Sequence, residues 1–365
     1  MNSQIIGLRK VINASGRMSI LGVSTLHDSV VDAIRVGGQS YVEMDDLIEK
    51  SGQIVSSYIQ SESALVVNSA SAGIALSVAG LITKNNHYLI PKLHQVAPLL
   101  SNEVLILKGH HVDYGAPIET MVNLGGGQLK EVGYANGCSI QQLEAAIHKQ
   151  TVAFLFVQSH HCVQKNMPSL VEVSEICQKK SIPLIVDAAA EEDFTSFSHL
   201  ADLVIFSGSK ALEGPTSGII AGKNEYIQYI KYHLKGIGRA MKVGKESIFG
   251  LIQAIANYQT NRNNIDSQLA QLKQLEVLSQ FDGIQVSIQS DEAGREIYRA
   301  RIHIDPKKSR LSALQVVKKL REGEPAIYTR DYHANTGHFD IDPRPLLSGD
   351  MEMIVEKLQQ ILGGK

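Results

Sequence analysis

The sequence predicts an α/β fold, a mainly parallel sheet covered by helices and followed by a smaller α+β domain, and three observations carry that prediction. From about residue 50 to 245, apolar runs alternate with helical patterns. Several of those runs, among them "ALVVNS", "VLILKG", "VAFLFVQS", "PLIVDAA" and "DLVIFSG", are apolar on both faces, as strands of a doubly covered parallel sheet are. After Lys245 the texture changes to a long helical pattern, Glu246 to about Phe281, and then to shorter strands and helices. At 365 residues the chain exceeds what one hydrophobic core organises, about 250–300 residues. The expected division is residues 1–50 as a segment packed on the small domain or a partner subunit, 51–245 as the large domain and 246–365 as the small one.

The remaining elements follow in order. "HYLIP", "GQLKEVGY" and "SGIIAGK" read as further strands of the large domain, while "SIQQLEAAIHKQ" and "SLVEVSEICQKKS" read as connecting amphipathic helices, the first with Ser139 as N-cap. In the small domain "IQVSIQS", "YRARIHID", "AIYTRD" and "HFDID" predict strands, and "LSALQVVKKLR" and "DMEMIVEKLQQIL" predict helices. The uncharged stretch Ser63 to Thr83 is long enough to cross a bilayer. Asn68, Ser69 and Ser71 interrupt it, so a buried strand turning into a buried helix is expected, and no membrane role.

Lysine plus arginine number 35 against 37 aspartate plus glutamate, a formal net charge of −2, so no overall basic field favours nucleic acid. Three cysteines, Cys138, Cys162 and Cys177, form no CxxC pair and no even disulfide framework. With no export-type leader in "MNSQIIGLRKVINASGRMSILGV", a reduced cytoplasmic setting is expected.

Unusual residues stand where strands end, which is where open α/β sheets bind ligands. Lys210 follows "VIFSG" and precedes "ALEGPTSG", a turn of small residues in which partial desolvation would lower its pKa. Asp187 ends "PLIVD" and is followed by three alanines that leave room for something flat. A lysine and an acid so placed suit pyridoxal 5'-phosphate, which needs an amine for its aldehyde and a carboxylate for its ring nitrogen. "NSASAG", with Ser71, Ala72 and Gly73, offers a strand-to-helix turn for the phosphate, and Ser207 adds a hydroxyl. One of His110 and His111, after "VLILKG", is expected to stack on the cofactor. His160, His161 and Cys162 lack ligand spacing, and no metal is expected.

Six stretches, taken in order, resemble a known family: "VINASGRMSILGV", "NSASAGIALSVAG", "NEVLILKGHHVDYGAPIETMVNLGGGQLKEVGYANG", "PLIVDAAAEEDF", "SGSKALEGPTSGIIAGK" and "KGIGRAMKVGKESIFGLIQAI". They are similar to the selenocysteine synthase superfamily of fold-type I (aspartate aminotransferase-like) pyridoxal phosphate enzymes, and within it to the D-glucosaminate-6-phosphate ammonia-lyase branch. The resemblance implies Lys210 as the Schiff-base lysine, Asp187 as the pyridinium partner and "SASAG" as the phosphate turn. It further implies α,β-elimination with deamination of a 2-amino sugar acid phosphate, giving a 2-keto-3-deoxy acid phosphate and ammonia. Lys210 would remove the Cα proton, and His110, His111 or Lys210 would protonate the leaving hydroxyl. A homodimer or higher homo-oligomer with shared sites is implied as well.

The chain departs from selenocysteine synthases in beginning almost at "VINA" and in having "MDDLIEKSG" where their arginine-rich stretch stands. Selenium transfer to a tRNA-bound serine is therefore not expected as the activity, and another enzyme of the superfamily on the same cofactor (an aldolase, a racemase or a seryl-tRNA selenium transferase-like enzyme) is the alternative. A doubly anionic substrate needs cations, for which Arg17, Arg239, Lys242, Lys245 and Arg344 are the candidates.

Overall fold

The computed structural model describes residues 6–159, 161–260, 265–291 and 296–364. Strand β1 (Val11–Ala14) opens the described chain. The central sheet then collects β2 (Ser63–Val67), β3 (Glu103–Leu107), β4 (Gln128–Val132), β5 (Thr151–Val157), β6 (Leu184–Asp187), β7 (Leu203–Ser207) and β8 (Gly218–Gly222) in the order β2-β8-β7-β6-β5-β3-β4. The pairs from β4 to β7 are parallel, and β8 alone runs antiparallel, to both β7 and β2. Strand β2 therefore runs with the parallel set. The C-terminal ends of β2, β3, β5, β6 and β7 share one edge of the sheet, where Gly218 stands opposite both Val67 and Ser207, and Asp187 opposite Val157 and Ile205.

Alternation along each strand sends side chains to two cores. Phe154, Phe156 and Phe206 fill one face, and Leu155, Ile205 and Ile220 fill the other, which is why these strands read as apolar throughout. The uncharged stretch 63–83 is β2 followed by the helix Ala70–Thr83, buried over nearly its whole length. Among the described residues no helix is long and apolar enough to cross a membrane. "HYLIP" is not a strand: Pro91 lies in the short 3₁₀ turn Ile90–Lys92, and Ile90, Leu93 and Ala97 are buried at helical spacing.

Two compact units emerge, residues 26–260 and the combination of 1–25 with 261–365. Both boundaries differ from the expected 50 and 245. The helix Asp28–Gly38 belongs with the larger unit because it packs on the helix Lys245–Thr260, with Gly37 against Phe249 and Gly250 against Ile34. The helical pattern expected to Phe281 is divided: after Thr260 come a helix Ile265–Lys273 and a 3₁₀ stretch Gln274–Gln280 in the other unit. In that smaller unit β9 (Ile284–Ser290), β10 (Tyr298–Ile304) and β12 (His338–Ile341) form an antiparallel sheet, while β11 (Ala326–Thr329) pairs in parallel with β1. Helices Ala313–Glu322 and Asp350–Leu362 cover a core of Ile12, Ile302, Phe339 and Leu358.

Candidate active site

Lys210 lies in the turn that leaves β7, and that turn is folded tightly back on β8. Gly208 donates its amide to the Ser217 carbonyl (2.9 Å) and accepts from the Gly214 amide (2.9 Å). A Cβ at Gly208 would collide with the Ser217 hydroxyl, so the glycine is required by close approach. Burial pushes the Lys210 ammonium below its ordinary pKa, and the charge of Asp187 opposes the shift. Asp187, on the adjacent strand end, is 7% exposed. Burial pushes its carboxyl up, while the Ala189 amide, donating at 3.1 Å, and Lys210 pull it down. It caps no helix: the residues after it form a turn.

At the end of β2 the turn is built by Ser69, whose hydroxyl accepts from the Ala72 amide at 3.0 Å and whose carbonyl accepts from Gly73 at 2.9 Å. That corrects the expected phosphate contacts, because Ala72 and Gly73 have already spent their amides on the chain. Gly73 is instead a packing residue: a Cβ there would meet Ile205 at 2.9 Å. The first two amides of the helix, Ala70 and Ser71, have no acceptor within it and are the ones left to face an anion, with the Ser71 hydroxyl beside them. Ser207 is buried, its hydroxyl 3.3 Å from that of Ser209.

The two histidines expected to stack on the cofactor differ in their surroundings. His110 is fully enclosed, edge-on to Phe156 at 4.5 Å; its Nδ1 accepts from the Val157 amide at 3.3 Å, and its Nε2 has no partner. Burial lowers its pKa to about 4, so it is neutral. His111 is turned to Glu131, 2.6 Å away. An aromatic residue of the same loop that sequence reasoning missed lies within the field of Asp187: Tyr114. Burial, and then the charge of Asp187, raise its phenol to about 12, while Ser71 acts as a weak partner that lowers it. The Tyr114 hydroxyl makes no well-formed hydrogen bond, which leaves a buried polar atom between the phosphate turn and Asp187 to be satisfied. Its signal in the sequence was an aromatic residue three positions beyond the histidine doublet, next to Gly115. Cys162 also feels Asp187, and burial raises its thiol to about 12, which makes it inert.

The cations divide. Lys245 donates to the Gly37 and Gly38 carbonyls at the end of the helix Asp28–Gly38 and pairs with Glu246 at 3.1 Å, so it is spent on structure and not on substrate. Arg239 is exposed, and Lys242 is held near the phosphate turn by its carbonyl, which accepts from Asn68 at 3.2 Å. In the smaller unit, Arg17 is half-buried and Arg344 clamps Asp342 with both nitrogens of its fork. Burial raises Asp342, but Arg344 and Arg299 outweigh it and hold the carboxyl well below the usual range. His160 lies outside the described residues, and among those described no cluster of three metal-binding side chains occurs.

The donor set fits a flat phosphorylated aldehyde: a desolvated amine, a buried carboxylate, two free helix amides and an unsatisfied phenol at one sheet edge. Relatives agree. A D-glucosaminate-6-phosphate ammonia lyase of Salmonella typhimurium (strain 14028s / SGSC 2262) is 43% identical over 98% of this chain and 97% of its own. A 5'-C-glycyluridine monooxygenase-decarboxylase of Streptomyces sp is 33% identical over 99% of this chain and 92% of its own. A solved structure of D-glucosaminate-6-phosphate ammonia-lyase superposes with TM-score 0.90 at 42% identity, covering 99% of this chain and 98% of that one. Aspartate aminotransferase from Thermus thermophilus, solved with maleate, shares the fold alone (TM-score 0.56, 13% identity, 98% and 93% covered). The family model described as SelA, L-seryl-tRNA selenium transferase, matches residues 11–291, and the chain belongs to that family, on a fold-type I architecture.

Proposed function

We propose that the protein is a pyridoxal-phosphate-dependent ammonia-lyase that takes D-glucosaminate-6-phosphate, or a close 2-amino sugar acid phosphate, to a 2-keto-3-deoxy acid phosphate and ammonia. The observation that carries this reading is the Lys210–Asp187 pair on neighbouring strand ends, in a chain 43% identical to a lyase of that name over nearly its full length. Bound at Lys210, the cofactor would supply an electron sink for the Cα–H bond. Asp187 would hold the ring nitrogen protonated, which its buried carboxylate can do only with a positive partner in place. Ala70, Ser71 and Ser207 would seat the phosphate, with the Tyr114 hydroxyl between them and Asp187. Lys210, its pKa lowered by burial, would take the Cα proton of the substrate at Nζ and hold it for the leaving hydroxyl. A homo-oligomer in a reducing compartment, with Cys138, Cys162 and Cys177 as free thiols, completes the reading.

The test is turnover by the purified chain with added cofactor. Ammonia and 2-keto acid should appear in equal amounts from D-glucosaminate-6-phosphate, and borohydride should fix the cofactor on the Lys210 peptide. A cofactor-loaded chain that releases neither product would sink the substrate assignment; a chain that binds no cofactor would sink the reading altogether.

A further inference from the structure

The loop that carries Tyr114 is closed at its neck by charge. The chain leaves β3 through the 3₁₀ turn Lys108–His110 and returns in the helix Ile118–Leu124, and residues 112–118 between them fold back on themselves. The Ile118 amide donates to the Val112 carbonyl at 3.1 Å, Asp113 and Pro117 form an antiparallel bridge, and Asp113 Oδ1 accepts from the Gly115 amide at 2.8 Å. Val112 and Tyr114 pack on the core that includes Ile74 and Val78 of the helix Ala70–Thr83. Apolar packing is non-directional, so by itself it does not fix how far the loop, and with it the ring, reaches toward the turn at the end of β2.

His111 stands at that neck. Its Nδ1 lies 2.6 Å from Glu131 Oε1 on β4, and its Nε2 lies 4.0 Å from Glu119 Oε2 in the first turn of the helix that ends the loop. Lys108 takes the second oxygen of Glu131 at 2.9 Å. A neutral imidazole has one N–H, whereas an imidazolium donates from both nitrogens, which is what a carboxylate at each nitrogen calls for. A partly exposed ion pair adds little to global stability, so its consequence is local: it ties the sheet, the outgoing chain and the returning helix together at one point. Further along the loop, the Tyr114 hydroxyl is buried and, among the described residues, has only Ser71 as a weak partner, while the Ala70 and Ser71 amides have no acceptor within their helix. A buried donor of this kind is costly unless an acceptor arrives, and a phosphate at the turn supplies one.

We infer that His111 is a positioning residue: by bridging Glu131 and Glu119 it clamps the neck of the 112–118 loop and holds the Tyr114 hydroxyl at the phosphate turn, where it donates to the bound phosphate. The presence of a phosphate there rests on the proposed function; the clamp does not.

Two measurements on the whole chain test this. The first is hydrogen exchange of the cofactor-free protein. In H111A the amides of Gly115 and Ile118 should exchange about fivefold faster or more, with the strands of the central sheet unchanged, and H111N, which keeps a donor at the Nδ1 position, should recover part of the protection. The second is a double-mutant cycle on the affinity for pyridoxal 5'-phosphate, read by titration of the cofactor-free chain. Y114F and H111A should each weaken binding about tenfold, as for a lost hydrogen bond to a charged group, and H111A should cost less than about twofold more in the Y114F background. Unchanged exchange at Gly115 and Ile118 in H111A overturns the clamp. A full, additive loss in the double variant, or a Y114F affinity equal to wild type, overturns the route through Tyr114. If the wild-type chain binds no cofactor, the proposed function falls and with it the role of Tyr114, while the exchange result alone decides the clamp.

Discussion

Asp187 carries opposite obligations to stability and to chemistry. Its folded pKa lies above the unfolded value because burial outweighs Ala189 and Lys210. The native state therefore binds more protons than the unfolded one from the ordinary carboxyl value of 3.8 up to the raised one, and stability falls as pH rises through that window. Lys210 has the reverse sign: its lowered pKa means that stability rises with pH between the folded value and 10.5. Asp187→Asn removes the first effect. The cofactor-free variant is expected to melt about 2–4 °C higher at neutral pH, with no gain below the carboxyl range, in melts taken from pH 3 to 8. Turnover should drop about a hundredfold or more, because a neutral amide cannot keep the ring nitrogen charged. A variant with wild-type turnover would remove Asp187 from the site.

At the scale of elements, the turn proposed to seat the phosphate depends on a residue of another strand. Gly218 on β8 faces the turn between β2 and the helix Ala70–Thr83, and a Cβ there would overlap the Ser69 carbonyl and come within 2.6 Å of the Ala70 nitrogen. Gly218→Ala is expected to push that turn off the sheet edge, weakening cofactor affinity about tenfold or more by titration, at a stability cost of about 1–3 kcal/mol. Ser69→Ala should cost only about 1 kcal/mol, the value of a lost N-cap. Lys245 tests the reverse case. Its ammonium sits at the carbonyl end of the helix Asp28–Gly38, so Lys245→Met should lose about 1 kcal/mol of stability in chemical denaturation. Its KM for the substrate should stay unchanged; a large KM effect would return Lys245 to the substrate site.

At the scale of the whole molecule, the beginning of the chain is part of the unit formed by its end. Ile12 and Ala14 of β1 are buried, β1 pairs with β11, and the Ala14 carbonyl accepts from the Asp342 amide at 2.9 Å. Deleting residues 1–18 should expose the edge of β11 and remove the burial of Ile12, worth about 1.5–3 kcal/mol on its own. Limited proteolysis of the truncated chain is expected to cut first between 280 and 350 while residues 26–260 stay resistant. Equal resistance throughout would contradict the assignment of β1 to that unit.

Much of this was legible in the sequence, since every strand of the central sheet except β4 is a mainly apolar run, and Lys210 and Asp187 stand at the ends of two such runs. Local signals also placed Ser139, whose capping box with Gln142 is formed within four residues. What misled were residues whose role depends on partners far along the chain. Lys245 looked like a free cation until the carbonyls of Gly37 and Gly38 met it; Arg344 looked like an anchor until Asp342 filled its fork; and His110 looked like a stacking ring until Phe156 and Val157 enclosed it. Tyr114 carries only a faint local signal, an aromatic residue beside Gly115. The sequence by itself determined the α/β alternation, the family and the lysine–aspartate pair, because periodicity and strand-end position are properties of short segments. Only the tertiary structure decided which amides are left over and which cations are already engaged, because satisfaction of a polar group is settled by whatever the fold brings beside it.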